Sequence, residues 1–145
     1  MNEEREFSYV MVGGYIDHTM IRIEDREESI DWYRDKLGWG VHREVNADGF
    51  DLIFMGPEDA DDDQHLIEMT YNHPDKGGRS YDFGDAWGHF AIAVDDVYEA
   101  YDELMERGVD DFRDPDSCGG SYAFVKDPDG HEIELVERNL EDPFN

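Results

Sequence analysis

The sequence predicts an α+β protein assembled from two copies of one unit, each a strand, a helix and two or three further strands. Three observations carry the prediction. The same succession of apolar runs, helical spacing and turn residues occurs twice along 145 residues. The last strands of the two halves nearly match in letters, Ile67-Glu68-Met69 against Ile133-Glu134-Leu135. A histidine in each first strand precedes the glutamate of each last strand by a similar distance, 50 residues from His18 to Glu68 and 45 from His89 to Glu134.

Residues 1–14 read as an added arm, with an extra strand through Tyr9 to Val12. The first unit, 15–78, opens on the strand-like run Ile16 to Ile23, which contains His18. Asp25 then caps a helix, and Glu28 three positions on completes a capping box. Ile30, Tyr33 and Leu37 recur at helical spacing, and Gly38 stands where the helix ends. The apolar runs Asp51 to Met55 and His65 to Tyr71 follow, separated by a polar turn over 56–64. Residues 79–86 read as a linker. The second unit, 87–139, begins with His89 to Val94 as a strand. Asp95 or Asp96 caps the next helix, whose apolar face carries Val97, Tyr101, Leu104 and Met105, and Gly108 closes it. Strands Tyr122 to Val125 and His131 to Val136 are joined by the turn Asp127-Pro128-Asp129-Gly130. Residues 15–145 thus make a single domain of ordinary size.

Composition bounds the function. Hydrophobic residues at 39% and aromatics at 13% suffice for a packed interior, so the chain is not a disordered acidic tail. Against 12 basic residues stand 39 acidic ones, a formal charge of −27. Repulsion on that scale weakens the fold in dilute buffer and is relieved by salt, which points to an acidic surface of halophile type. Nucleic acid and anionic membranes are excluded as partners, because a polyanion gains nothing from displacing their counterions. One cysteine, Cys118, permits no internal disulfide and suits a reducing interior. The acidic first residues and the lack of a membrane-length apolar run predict a cytoplasmic protein.

Strand parity gathers the chemistry on one face. His18, Met20 and Arg22 point one way, Thr19, Ile21 and Ile23 the other. Glu68, Thr70 and Asn72 oppose Ile67, Met69 and Tyr71, while Glu134 and His89 are each flanked by apolar neighbours on the opposite face. A helix covers the apolar sets, so the polar sets face the concave side. A lone mid-strand Glu or His is ordinarily solvated or structural. Two of each at equivalent places, whose carboxylates would repel without a cation between them, point to a divalent metal. Mixed nitrogen and oxygen donors suit nickel, zinc or cobalt. The expected ligands are His18, Glu68, His89 and Glu134. Parity turns His65 and His131 away from them, and His42 and His73 sit near loop edges. Cys118 has no positioned base, and Asp59 to Asp63 read as a solvated hairpin tip.

The stretches DHTMIRI (17–23), LIEMTYN (66–72), WGHFAIAV (87–94) and FVKDPDGHEIELVE (124–137) resemble glyoxalase I of the vicinal oxygen chelate superfamily, over residues 14–139. The resemblance implies a paired βαβββ fold and a homodimer in which His18 and Glu68 of one subunit meet His89 and Glu134 of the other. It implies one divalent ion per site, with Ni2+ favoured over Zn2+ or Co2+. The implied reaction isomerises the hemithioacetal of methylglyoxal and a thiol, with Glu134 and Glu68 as the catalytic carboxylates: Glu134 as base and Glu68 mainly a ligand, either able to serve as base on leaving the metal. Arg22 and Asn72 match family positions that hold the γ-glutamyl part of glutathione. The segments 82–85 and 117–120 carry no Lys or Arg where many relatives bind the glycine carboxylate. That departure makes γ-glutamylcysteine an alternative thiol to glutathione, with Arg113 or Lys126 the cations able to reach the pocket. The rival readings are a metal-dependent acyl-CoA epimerase, for which basic residues are scarce, an extradiol dioxygenase, which a fourth ligand weakens, and a non-catalytic drug-binding resistance protein, which needs no inward His and Glu set.

Overall fold

The computed structural model describes residues 12–76 and 80–139. Of the extra strand expected through Tyr9 to Val12, residues 9–11 fall outside them, as does Arg79 of the expected linker, while Val12 is not in a strand. The first half runs β1 (His18–Ile23), α1 (Arg26–Leu37), β2 (Trp39–Asn46), β3 (Phe50–Pro57) and β4 (Leu66–Asn72). The second runs β5 (His89–Val94), α2 (Val97–Glu106), β6 (Tyr122–Lys126) and β7 (Glu132–Glu137). Short 3-10 turns occupy Pro74–Lys76 and Pro115–Cys118.

The helix boundaries follow from local chemistry. Asp25 accepts a hydrogen bond from the Glu28 amide at 3.0 Å, and Gly38 at φ 73° takes the left-handed C-cap. Glu27 and Glu28 sit in the first turn of α1, Arg34 and Lys36 in the last, each charge matched to the helix dipole. Of the two candidate caps for α2, Asp96 holds the position, accepting from the Glu99 amide at 3.0 Å. Each helix buries one stripe, Ser29, Ile30 and Tyr33 on α1 and Val97, Tyr101 and Leu104 on α2.

The sheets repeat one topology. The first is ordered β1-β4-β3-β2, with β1 parallel to β4 and the rest antiparallel. The second is ordered β5-β7-β6, again with its first strand parallel to its last. The fourth position of the second sheet is a single bridge, Arg113 to Phe124, so this half is βαββ with a remnant. The chemistry of the segment explains the loss. Pro115 has no amide to give a ladder, and the Asp114 carboxylate caps the 3-10 turn by accepting from the Ser117 amide at 2.9 Å. The first strand is also two residues shorter than the apolar run, starting at His18.

Both halves contribute to one apolar core, with Ile21, Ile23, Ile53 and Met69 from the first and Val125, Ile133 and Leu135 from the second. A polar seam also joins them at the β6–β7 turn. There the Tyr33 hydroxyl donates to Asp127 at 2.7 Å, and the Glu24 amide and Ser29 hydroxyl donate to Asp129 at 3.0 and 3.3 Å. At the helix ends Arg107 donates to the Lys36 carbonyl at 2.7 Å, and Lys36 donates to the Arg107 carbonyl. Burial, then the Asp127 charge, holds the Tyr33 hydroxyl well above its ordinary pKa, so it stays a donor.

Candidate active site

The side opposite the helices is open on both sheets. In β1, Ile21 and Ile23 are buried while His18, Met20 and Arg22 are exposed, the division parity predicts. Register then brings together the predicted residues in pairs. Met20 lies opposite Glu68 across the parallel β1–β4 pair, and Ala91 lies opposite Glu134 across β5–β7. Each histidine stands two residues earlier on the same face. His18 Nε2 lies 3.0 Å from Glu68 Oε2, and His89 Nε2 lies 3.5 Å from Glu134 Oε1.

The match continues across each sheet, through residues that parity analysis of the His and Glu strands did not reach. Phe54 lies opposite Glu68 and Phe124 opposite Glu134. Arg43 lies opposite Phe54, and Arg113 opposite Phe124. The His18 ring meets Phe54 edge-on with centroids 5.2 Å apart, and His89 meets Phe124 at 5.0 Å. The guanidinium of Arg43 lies 5.1 Å from the centre of Phe54, that of Arg113 4.6 Å from Phe124. Each open face therefore carries one row of His, Glu, Phe and Arg. The letters Ile-Phe-Met at 53–55 and Ala-Phe-Val at 123–125 were the available signal.

The two pairs differ in restraint. Glu68 is held at both oxygens, by His18 and by the Thr70 hydroxyl at 3.3 Å, and its side chain is 11% exposed. Asp17 lies 2.7 Å from His18 Nδ1, on the side away from Glu68, which orients the ring. Glu134 is 21% exposed, and among the described residues only His89 approaches it.

The four side chains do not form one cluster within a chain. Among the described residues no three of them present ligand atoms within 4.8 Å of one another. Within one chain the four therefore stand as two separate pairs, because each belongs to its own sheet. The donor set fits a borderline divalent ion in kind, and each pair offers half of it. One group that parity did not single out does converge, Asp127, Asp129 and His131. Its atoms are engaged by the seam, with His131 Nδ1 on Asp127 at 2.8 Å and both carboxylates accepting backbone amides.

Arg22 lines a cleft of about 200 Å³ with Met20, Tyr81, Phe83, Trp87, Asp129 and His131. Asn72 ends β4 and donates to the Tyr81 hydroxyl at 2.9 Å, which ties the strand to the segment before β5. His18, Glu68, His89 and Glu134 do not line that cleft. Cys118 is buried, and Asp59 to Asp63 form an exposed turn apart from half-buried Ala60.

The model of the Glyoxalase/Bleomycin resistance protein/Dioxygenase superfamily matches residues 15–135. A probable lactoylglutathione lyase of Vibrio parahaemolyticus is 39% identical over 132 residues, covering 88% of this chain and 93% of that protein. The lactoylglutathione lyase of Salmonella typhimurium is 40% identical over 127 residues, covering 83% and 90%. Among solved structures, the trypanothione-dependent glyoxalase I of Leishmania major superposes with a TM-score of 0.70 at 38% identity, covering 86% of this chain and 87% of that one.

Proposed function

This chain belongs to the Glyoxalase/Bleomycin resistance protein/Dioxygenase superfamily, and on that footing we propose that it is a glyoxalase I-type lyase. It isomerises the hemithioacetal of methylglyoxal and a low-molecular-weight thiol, glutathione or γ-glutamylcysteine, to an S-lactoyl thioester. The observation that carries this reading is the pair of His–Glu couples at one register offset in both sheets, in a chain about 40% identical to lactoylglutathione lyases.

His18, Glu68, His89 and Glu134 are the residues that would hold a divalent ion, Ni2+ first and Zn2+ or Co2+ next. When bound, such an ion supplies electrostatic stabilisation for the negative charge left as a proton leaves carbon beside a carbonyl. Glu134, the less restrained carboxylate, takes the proton from the carbon bearing sulfur and returns it to the neighbouring carbon. The carbonyl and hydroxyl thereby exchange places with no net oxidation. Glu68, fixed by His18 and Thr70, stays a ligand. Arg22 and Asn72 receive the γ-glutamyl end.

Because one chain offers two half-sites on separate open faces, the complete site is shared between two copies. A mixing experiment tests this. One variant carries His18→Ala and Glu68→Ala, the other His89→Ala and Glu134→Ala, and each homodimer is inactive. Unfolded together and refolded with Ni2+, the mixture recovers about a quarter of wild-type turnover, since half the dimers hold one intact site. A mixture as inactive as its components would sink the shared site, and wild-type protein inactive with every thiol and metal would sink the lyase reading.

The charge of −27 belongs to the same proposal, of a cytoplasmic enzyme adapted to concentrated salt. Raising KCl from about 0.1 M to about 1 M shortens the screening length from roughly 10 Å to 3 Å. The thermal midpoint rises by roughly 5 °C or more across that range, read by circular dichroism. A flat or falling midpoint would contradict the adaptation. Among the described residues no helix is long and apolar enough to cross a membrane.

A further inference from the structure

Two arginines of the repeated rows have no part in the proposal so far. In a chain with 39 acidic residues, guanidinium groups are readily claimed by carboxylates. Arg26 pairs with Glu27, Glu44 and Asp51, Arg34 with Asp31 and Asp35, and Arg107 with Glu103. Arg43 and Arg113 are exposed, and among the described residues neither has a carboxylate within ion-pair distance. Each lies over a phenylalanine ring instead, at the end of a row that continues through Phe and Glu to the strand of the paired histidine.

We propose that Arg43 and Arg113 are carboxylate-recognition positions for the thiol portion of the substrate. The proposal rests on the lyase reading and names how its site holds an anionic thiol. Two strand spacings separate each arginine from the glutamate of its row, about 10 Å. An extended peptide thiol of two or three residues, at about 3.3–3.6 Å per residue, spans that distance from sulfur to carboxylate. Stacking on Phe54 or Phe124 fixes the plane of the guanidinium and leaves its N–H fork free for a bidentate carboxylate. The need is acute in this molecule, since a net charge of −27 repels an anionic substrate overall. The segments 82–85 and 117–120, without Lys or Arg, offer no substitute. Repetition of the arrangement places a cation at the same offset from the carboxylate on both faces.

The test uses full-length Arg43→Met, Arg113→Met and the double variant, with Arg34→Met as a control outside the rows. Methylglyoxal hemithioacetals of glutathione, γ-glutamylcysteine and 2-mercaptoethanol serve as substrates, and non-reactive S-methylglutathione as the calorimetric ligand. For the two peptide thiols KM rises about tenfold or more per arginine, with kcat held within about twofold. The KM effect is absent for 2-mercaptoethanol, which has no carboxylate, and Arg→Lys restores part of the loss. S-methylglutathione affinity falls in parallel while Ni2+ affinity holds. An equal KM change for all three thiols overturns the proposal, as does lost Ni2+ affinity with unchanged S-methylglutathione binding, which would make the arginines supports for His18 and His89 alone. Wild-type protein inactive with every thiol fails the lyase reading, and the calorimetry still decides this one.

Discussion

Glu134→Gln lowers kcat by about 10³-fold or more and leaves the fold intact. The amide keeps the size of the side chain and loses the basic oxygen that accepts a proton from carbon. Glu134 takes no part in the seam and approaches only His89 among the described residues, so the change in stability stays within about 1 kcal/mol. The paired variant Glu68→Gln separates the roles. Glu68 is nearly buried and held at both oxygens, so its loss registers first as weaker Ni2+ affinity, by about 10- to 100-fold, and excess metal restores part of the turnover. Stopped turnover in Glu134→Gln with full metal occupancy identifies the base. Full activity in that variant assigns the proton transfer elsewhere, and equal rescue of both variants by excess metal makes both glutamates ligands only.

Much of this was legible because burial writes itself into a strand at period two. Ile21 and Ile23 beneath a helix, with His18, Met20 and Arg22 outside, required only alternation, and the same logic placed Glu68 and Glu134. Both helices were legible through their caps. Strand β2 was not, because Trp39–Asn46 is an edge strand exposed along most of its length, and no apolar face marks it. Before β6 only one bridge forms, because Pro115 and the Asp114 cap outcompete a ladder that topology would allow. Parity put His18 and Glu68 on one face, as it did His89 and Glu134, but alternation fixes only a face and says nothing of how two sheets are set. The role of His131 escaped for a related reason. It stands at the end of the β6–β7 turn, just before β7; alternation turns it away from Glu134, but its link through Asp127 to Tyr33, 98 residues away on α1, lies outside any one strand.

That turn carries the second large effect. Asp127→Ala destabilises the protein by roughly 3–5 kcal/mol, because the carboxylate is fully buried and serves four donors. It accepts from the Tyr33 hydroxyl at 2.7 Å, the His131 ring at 2.8 Å, the His131 amide at 2.9 Å and the Asp129 amide at 3.0 Å. Truncation strands Tyr33 and His131, which are 0% and 5% exposed, away from water. The losses overlap, so the total is less than four separate bonds. At about 2–4 °C per kcal/mol the thermal midpoint falls by roughly 10 °C. Tyr33→Phe removes one donor and keeps the ring, and costs about 1–2 kcal/mol. Denaturant titration of both variants, with bound Ni2+ measured in parallel, discriminates the two uses the group could have. A seam predicts large destabilisation and unchanged metal content at temperatures where the variant is folded. A small change in stability with loss of bound metal would instead make Asp127, Asp129 and His131 an ion site, and would move the functional reading of the β6–β7 turn with it.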